Sequence, residues 1–230
     1  MRTLGLLGGM SWESTVTYYR LINRHVAERL GGLHSAELLL YSFDFEPIEQ
    51  LQHAGDWDAA ANRLIQAAQA VKRGGAEGLM ICTNTMHKVY EPVEAAVGIP
   101  MLHIADPTAA AILAAGHRTV GLLGTAFTME QDFYRGRLSE RHGLEVLVPA
   151  ADDRAIVHRV IYDELCRGKV RDTSRQDYSR IIVELASRGA EAVILGCTEI
   201  SLLVGTEEAT IPVFDTTALH AEAAVDWMLE

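Results

Sequence analysis

The sequence predicts an α/β protein made of two similar parallel-sheet units. Short apolar runs rich in Leu, Val and Ile alternate with longer helical stretches along the whole chain. The same order of runs occurs twice, and no low-complexity linker separates the two copies. In each copy an apolar run stops at a small polar cluster. Open parallel sheets place their ligand sites just past such strand ends.

The first half of the chain contains three predicted strands and two predicted helices. The strands are expected at 4–7, 36–43 and 79–82, and the helices at 13–30 and 57–72. Ser11 is a plausible N-cap of the first helix, and a glycine pair follows each helix. The segment that contains Pro47, between the second strand and the second helix, is expected to be a polar loop.

The second half repeats the first at a slowly drifting offset. Residues 120–124 copy 4–8 at an offset of 116, and 189–198 copy 75–84 at an offset of 114. Buried strands can resemble one another by chance because they draw on few residue types. The polar pair Tyr19-Arg20 nevertheless recurs at 134–135, which favours an internal duplication with small deletions.

Composition excludes several classes of function. With 230 residues, 49% of them hydrophobic, the chain can form a real core in one large or two small domains. No apolar run approaches the roughly 18 residues of a membrane span, and the first ten residues do not resemble a signal peptide, so a cytoplasmic protein is expected. A formal net charge of −11 argues against nucleic acid and anionic membranes as partners.

The cysteines and histidines favour neither disulfides nor a metal. Cys82, Cys166 and Cys197 are widely spaced, which predicts reduced thiols. The nine histidines form no HExxH motif and no close cluster with other ligands, so no metal site is expected. The glycines at 5, 8 and 9 lack the spacing of a phosphate-binding loop and predict a tight strand-to-helix turn.

The two polar clusters predict a pair of proton carriers. In the aligned copies Thr83 occupies the position of Cys197. If the two units enclose a cleft, these side chains approach one substrate from opposite sides. One group then removes a proton from a carbon and the other delivers a proton from the far face. The centre inverts, which is racemisation or epimerisation.

The thiol is the better base of the pair. Its unperturbed pKa is about 8.5, and a helix beginning at Thr198 would stabilise the thiolate of Cys197 and could bind a substrate carboxylate. The hydroxyl of Thr83 is a poor base, but it can donate a proton or relay one through water. Cys82 lies one residue out of register and is expected to point into the core.

Other side chains near the clusters are expected to bind the substrate. The turns after the first strand of each copy can place small or flexible side chains beside it, and the polar clusters supply donors and acceptors suited to a zwitterionic amino acid. Glu199 could equally be an ordinary capping carboxylate. The expected substrate-binding residues are Met10, Ser11, Asn84, Thr85, Thr125, Thr198 and Glu199.

These motifs resemble those of the aspartate/glutamate racemase family. The family's Cys-Asn-Thr motif in the first half and Gly-Cys-Thr-Glu motif in the second correspond here to 83–85 and 196–199. Residues 8–12 and 130–134 also look like this family, and the resemblance runs from Met1 to Glu230. It is closest to the subgroup with Thr in place of the first Cys, called L-aspartate/glutamate-specific or broad-specificity amino-acid racemases.

The resemblance implies a cofactor-independent amino-acid racemase that needs no pyridoxal phosphate. Cys197 would handle the L-substrate and Thr83 the opposite face of Cα. It also implies a homodimer of chains with two α/β domains related by a pseudo-two-fold, with a cleft between them. We expect domain bounds of 1–98 plus 208–230 for the first domain and 99–207 for the second.

The chain departs from the family pattern at the places that bind the substrate's side-chain carboxylate. Many members carry basic residues there, whereas the matching places here are Gln52 and Cys166. Gln52 is therefore added to the expected substrate-binding residues.

Two other functions remain open at this point. Cys197 could act as a covalent nucleophile on an alkene carbon, as in the related maleate isomerases. Two α/β lobes around a cleft would also suit a protein that binds a small acid without turning it over.

Overall fold

The computed structural model describes residues 1–205 and 209–230 and divides into two compact units. Unit 1 comprises Met1–His103 and His220–Glu230, and unit 2 comprises Ile104–Leu219. Each unit holds a four-stranded parallel sheet with helices around it. The predicted α/β class with two similar parallel sheets is confirmed. The expected domain bound between 207 and 208 falls outside the described residues.

Unit 1 has the strand order β2-β1-β3-β4. The strands are β1 (Leu4–Gly8), β2 (Leu38–Ser42), β3 (Gly78–Ile81) and β4 (Met101–Leu102). The helices are α1 (Trp12–Leu30), α2 (Phe45–Ala54), α3 (Trp57–Arg73) and α4 (Tyr90–Val97), with a 3₁₀ helix at Thr85–Val89.

The segment around Pro47 was predicted to be a loop, and this prediction was wrong. Helix α2 begins at Phe45, so Pro47 is its third residue. The first four N–H groups of a helix have no partner within the helix, and proline therefore loses no hydrogen bond there. The helix matters for the site because it carries the buried side chain of Gln52.

Unit 2 has the equivalent strand order, β6-β5-β7-β8. Its helices are α5 (Ala105–Ala114), α6 (Ala126–Glu130), α7 (Asp132–Gly136), α8 (Ala151–Asp163) and α9 (Asp172–Ser187). Its strands are β5 (Thr119–Gly124), β6 (Glu145–Leu147), β7 (Ala192–Gly196) and β8 (Val213–Asp215). The last helix of the chain is α10 (Thr216–Leu229).

The duplication extends to the register of the central strands. Leu4 of β1 pairs with Gly78 of β3, and Val120 of β5 pairs with Ala192 of β7. These pairs are related by the same offsets, 116 and 114, that relate the two halves of the sequence. Each polar cluster therefore follows the same central strand of its own sheet.

The sheet of unit 1 packs a separate apolar cluster on each face, because successive strand residues point to opposite sides. Leu7 and Ile81 belong to the cluster formed with α2, α3 and α4. Leu6 and Cys82 belong to the cluster formed with α1 and α10. The predicted core position of Cys82 is confirmed, since its side chain is fully buried.

Candidate active site

The first polar cluster follows β3 and begins at Thr83. The strand is anchored here by a hydrogen bond of 2.9 Å from the N–H of Cys82 to the carbonyl oxygen of Leu7. Thr83 is partly exposed, whereas Asn84 and Thr85 are 2% and 5% exposed. The 3₁₀ helix then turns the chain back, so Thr83 stands at the open end of the sheet.

A ring of buried histidines and tyrosines lies behind Thr83. The Nδ1 of His87 lies 2.8 Å from the carbonyl oxygen of Thr83, and the ring centroids of His87 and His103 are 4.5 Å apart. His220 closes the group: its Nδ1 lies 3.0 Å from the Tyr18 hydroxyl and its Nε2 3.1 Å from the Leu102 carbonyl. These contacts hold the Thr83 turn against α1 and α10.

Sequence reasoning missed His220. It lies on α10 more than a hundred residues from the other members of the ring. A signal was nevertheless present, because Ala221, Ala224 and Val225 follow it at helical spacing and form the buried face of the helix.

The turn after β1 brings Met10 and Ser11 towards the end of β3. Gly9 has a φ of 86°, and its N–H donates to Thr15 Oγ1 at 2.7 Å. Ser11 caps α1, as predicted, by accepting from the N–H of Ser14. The Ser14 hydroxyl also lies 3.4 Å from the carbonyl oxygen of Cys82, which ties this turn to the residue before Thr83. Met10 and Ser11 are 3% and 4% exposed.

Gln52 reaches the same region from α2. Its side chain is 2% exposed, and its Nε2 donates to the sulfur of Met86 at 3.0 Å. Met86 lies in the 3₁₀ helix that follows Thr83. Within unit 1, Gln52 and the Thr83 turn therefore belong to one packed neighbourhood.

The second polar cluster follows β7 and begins at Cys197. The thiol donates to Glu199 Oε2 at 3.1 Å, and the Thr198 hydroxyl donates to the same oxygen. Cys197, Thr198 and Glu199 are 9%, 6% and 3% exposed. A buried carboxylate thus lies directly against the thiol.

No helix begins at Thr198, so the expected stabilisation of a Cys197 thiolate by a helix N-terminus is not met. The chain forms only a three-residue 3₁₀ helix at Ile200–Leu202. Burial, and after it the negative charge of Glu199, raise the pKa of the Cys197 thiol well above its usual range. Both effects favour the protonated thiol, whereas the sequence predicted a lowered pKa.

Cys166 and Tyr178 share this neighbourhood of unit 2. The family resemblance matched Cys166 to a place that binds the substrate's side-chain carboxylate, whereas Tyr178 was not singled out from the sequence. Cys166 is partly exposed, and burial followed by the charge of Glu199 raises the pKa of its thiol. Burial and the thiol of Cys197 raise the pKa of Tyr178, whose hydroxyl donates to the Val157 carbonyl at 3.0 Å.

The remaining predicted residue, Thr125, follows β5. Its side chain is 4% exposed and caps α6 by accepting from the N–H of Thr128 at 3.3 Å. This turn corresponds to the Ser11 turn of unit 1, since both cap the helix that follows the first strand of their sheet.

The thiol of Cys197 and the carboxylate of Glu199 suit proton-transfer chemistry. Among residues 1–205 and 209–230, no three or more His, Cys, Asp or Glu side chains are grouped so that they could hold a metal ion. A thiol against a carboxylate can hold, release and take up one proton.

Among residues 1–205 and 209–230, no helix combines the length and the apolar character of a membrane span.

Comparison with known proteins places these features in a family. The family model described as Asp/Glu/Hydantoin racemase matches residues 7–224. A crystal structure of a candidate Asp/Glu racemase from Yersinia pestis is 57% identical, covers 100% of both chains and has a TM-score of 0.94. That of an aspartate racemase homologue from Pyrococcus horikoshii OT3 is 35% identical, also over 100% of both chains, with a TM-score of 0.86.

A further relative carries the name of a racemase activity. The broad specificity amino-acid racemase RacX of Bacillus subtilis (strain 168) is 24% identical over 234 residues, which covers 98% of each chain.

Proposed function

Because this chain belongs to the Asp/Glu/hydantoin racemase family and is an amino-acid racemase, we propose that it inverts Cα by direct proton transfer between Cys197 and Thr83, without pyridoxal phosphate. The two side chains would act on opposite faces of the substrate. Cys197 would take the proton from the L-enantiomer, and Thr83 would return one from the other face, directly or through water.

The observation that carries this proposal is the equivalence of the two positions. Thr83 follows β3 and Cys197 follows β7, and these strands have the same place and register in two sheets of the same order. Duplicated units that present a proton donor or acceptor at matching strand ends suit a reaction that treats the two faces of one carbon alike.

We propose that the polar side chains around each carrier hold the amino acid. Asn84, Thr85 and Thr198 offer hydroxyl and amide groups for its ammonium and carboxylate groups. Ser11 and Thr125 lie at the corresponding turns of the two units, Met10 precedes Ser11, and Gln52 packs on the Thr83 side.

Aspartate and glutamate are the first substrates to test. Two relatives are described as an Asp/Glu racemase candidate and an aspartate racemase homologue, and another as a broad-specificity racemase. The uncharged side chain of Gln52 is a hydrogen-bond donor for a side-chain carboxylate but supplies no positive charge. We therefore expect a range of accepted amino acids rather than strict selection of the acidic ones.

We also propose that the active protein is a cytoplasmic homodimer, as the family resemblance suggests. Light scattering coupled to size-exclusion chromatography distinguishes a dimer of the 25.2 kDa chain from a monomer.

Solvent exchange at Cα tests the reaction directly. L-aspartate and L-glutamate are incubated with the protein in D₂O, and deuterium at Cα is followed by proton NMR. The wild type is expected to exchange the Cα proton for deuterium. In Cys197→Ser the exchange rate should fall at least about 10²-fold, the usual size of a general acid–base contribution. Cys82→Ala, which removes a thiol from the core, is the control and should keep the wild-type rate. Hydroxylamine, which captures pyridoxal phosphate, should leave the rate unchanged.

The same assay contains the outcomes that contradict the proposal. No Cα exchange with any chiral standard L-amino acid would exclude the racemase mechanism proposed for Cys197 and Thr83. A covalent adduct of maleate on Cys197, detected by intact mass, would instead indicate the isomerase type of chemistry. Tight binding of a small acid without turnover, unaffected by Cys197→Ala, would indicate a binding protein.

A further inference from the structure

Resting on that proposed function, we infer that Glu199 is the positioning residue that holds the proton of Cys197 while the thiolate acts on the substrate. The thiol and the carboxylate then share one proton. It lies on sulfur in the resting state and on Glu199 Oε2 in the state that removes the proton from Cα.

The geometry supports this role through a direct contact. Sγ of Cys197 lies 3.1 Å from Oε2 of Glu199, which is hydrogen-bond distance for a thiol donor, so the proton moves along an existing hydrogen bond. Thr198 donates its hydroxyl to the same oxygen and fixes the carboxylate in place. Cys197 and Glu199 are buried, at 9% and 3% exposure, so bulk water is a poor substitute for Glu199 as the acceptor of the thiol proton.

Electrostatics require that the proton be shared. A thiolate beside a carboxylate in a buried site would place two negative charges in contact, which costs far more than in water. After burial, the neighbours that raise the pKa of the Cys197 thiol are the negative charge of Glu199 and the thiol of Cys166. The thiolate therefore becomes accessible when the carboxylate accepts the proton.

The step balances without an added reactant. The S–H bond of Cys197 breaks and an O–H bond forms on Glu199, so the pair keeps its single negative charge. The thiolate then takes the proton from Cα, which restores the S–H bond and leaves the electron pair on carbon. A proton delivered from the side of Thr83 to the opposite face of Cα completes the inversion. The proton on Glu199 then passes through solvent to replace the proton that the Thr83 side supplied.

An ordinary structural role for Glu199 makes different predictions. A carboxylate that only packs the turn would slow turnover by loosening the site and would leave the pH dependence of the reaction as it was. A proton-holding carboxylate makes turnover independent of proton loss to solvent. In the wild type we expect kcat for Cα exchange to stay flat between about pH 6 and 8, while alkylation of the free Cys197 thiol rises about tenfold per pH unit.

The variant Glu199→Gln removes the acceptor and keeps the size of the side chain. Turnover at pH 7 should fall about 10²-fold or more and should then rise with pH, because the thiol now loses its proton to solvent. Alkylation of Cys197 by iodoacetamide, assigned by peptide mass, should become faster than in the wild type at pH 8, since a negative charge beside the thiol is gone. Loosening of the site would also slow turnover and expose the thiol, but it would leave the pH profile of turnover flat. The rise of turnover with pH is therefore the result that identifies Glu199 as the proton acceptor.

Two further variants complete the test. Glu199→Asp keeps a carboxylate and should retain a flat pH profile at a reduced rate. Glu164→Gln is the matched control: Glu164 is also buried in unit 2, at 4% exposure, but accepts from the Ser174 hydroxyl at 2.7 Å. It should change neither the alkylation rate of Cys197 nor the pH profile.

The outcomes separate this inference from the proposed function. If the wild type exchanges Cα deuterium but Glu199→Gln keeps a flat profile and full turnover, the role of Glu199 is wrong and the racemase proposal stands. If Glu199→Gln does not fold, a wild-type kcat that rises with pH in parallel with alkylation overturns the role of Glu199. If the wild type exchanges the Cα proton of no amino acid, the proposed function fails. If Cys197 is alkylated at the same rate in the wild type and in a folded Glu199→Gln protein, the proposed effect of Glu199 on the thiol is wrong, whatever the outcome for the racemase function.

Discussion

His87 donates a hydrogen bond from Nδ1 to the carbonyl oxygen of Thr83 over 2.8 Å. A carbonyl oxygen can only accept, so Nδ1 of this ring carries a proton. The bond fixes the backbone of the residue proposed to return the proton, four positions earlier in the chain. His87 is only 2% exposed, so this bond is shielded from competing water.

Replacement of His87 should therefore affect turnover through the position of Thr83. We expect His87→Ala to lower kcat for Cα exchange about tenfold, because one buried hydrogen bond contributes about 1 kcal/mol and its loss frees the turn. His87→Asn places an amide N–H where Nδ1 stands and should recover most of the rate. Exchange rates and thermal unfolding of both variants are compared.

Tyr90→Phe serves as the control for that experiment. Tyr90 packs on His87, but its hydroxyl lies 2.6 Å from the Met101 carbonyl oxygen and 2.8 Å from Glu94 Oε1. It should lower the unfolding temperature with little change in kcat. A loss of kcat equal to that of His87→Ala would mean that packing, not the bond to Thr83, sets the rate.

The identity of the group at position 83 should limit the rate of proton return. An alcohol is a much weaker acid than a thiol, whose pKa is about 8.5. We expect Thr83→Cys to increase deuterium exchange into D-aspartate or D-glutamate about tenfold or more. Thr83→Ser keeps the hydroxyl and should remain close to the wild type, whereas Thr83→Ala should fall well below it. Equal rates in all four proteins would exclude a proton carrier at this position.

Gly9 is required by the backbone of the turn that precedes Met10. Its φ is 86°, and a Cβ there would lie 2.4 Å from both the backbone N and the backbone O of Phe43. Gly31 also has a positive φ, 73°, but a Cβ there would have no atom within 4 Å. Gly31→Ala should therefore cost about 1 kcal/mol of backbone strain.

Gly9→Ala adds a clash with the backbone to that strain, and we expect it to cost at least about 2 kcal/mol more. Urea unfolding of the two variants measures the difference directly. Because the turn carries Met10 and Ser11, Gly9→Ala should also reduce Cα exchange in protein that remains folded. Equal destabilisation by the two substitutions would show that the turn can shift to admit a side chain.

The three strands expected in the first half were predicted to within about two residues, whereas β4, β6 and the contacts of the site were not predicted. An apolar run such as 192–195 identifies a strand because its residues must all be buried in a sheet covered on both faces. The contact between Cys197 and Glu199 depends instead on how the chain turns after β7. A helix was expected there, and its absence lets the carboxylate fold back onto the thiol.

Long-range contacts are the second part of the site that the sequence could not supply. His220 joins His87 through the fold of α10 onto the sheet of unit 1, although more than a hundred residues separate them. Periodicity shows that a side chain faces a core, but it does not show which distant residue lies there. The Thr83 turn was located, but the way His220 completes the buried ring behind it was not.

The buried thiol of Cys82 should make stability depend on pH in the alkaline range. Burial raises the pKa of this thiol far above its unfolded value of about 8.5. The folded state therefore binds the proton more tightly than the unfolded state. The stabilisation is fully present below about pH 8.5 and is lost as the pH rises, by about 1.4 kcal/mol per pH unit for this one group.

Cys82→Ala should remove that contribution while leaving the core otherwise filled. At pH 7 the variant should be about 1 kcal/mol less stable because a small cavity replaces the sulfur. Between about pH 9 and 10 its free energy of unfolding should decline less steeply than that of the wild type, by about 1.4 kcal/mol per pH unit, so the two curves converge. The tyrosines titrate mainly above this range, and Cys166 and Cys197 are present in both proteins. Urea unfolding at half-unit steps measures both slopes, and parallel curves would mean that Cys82 does not titrate on unfolding.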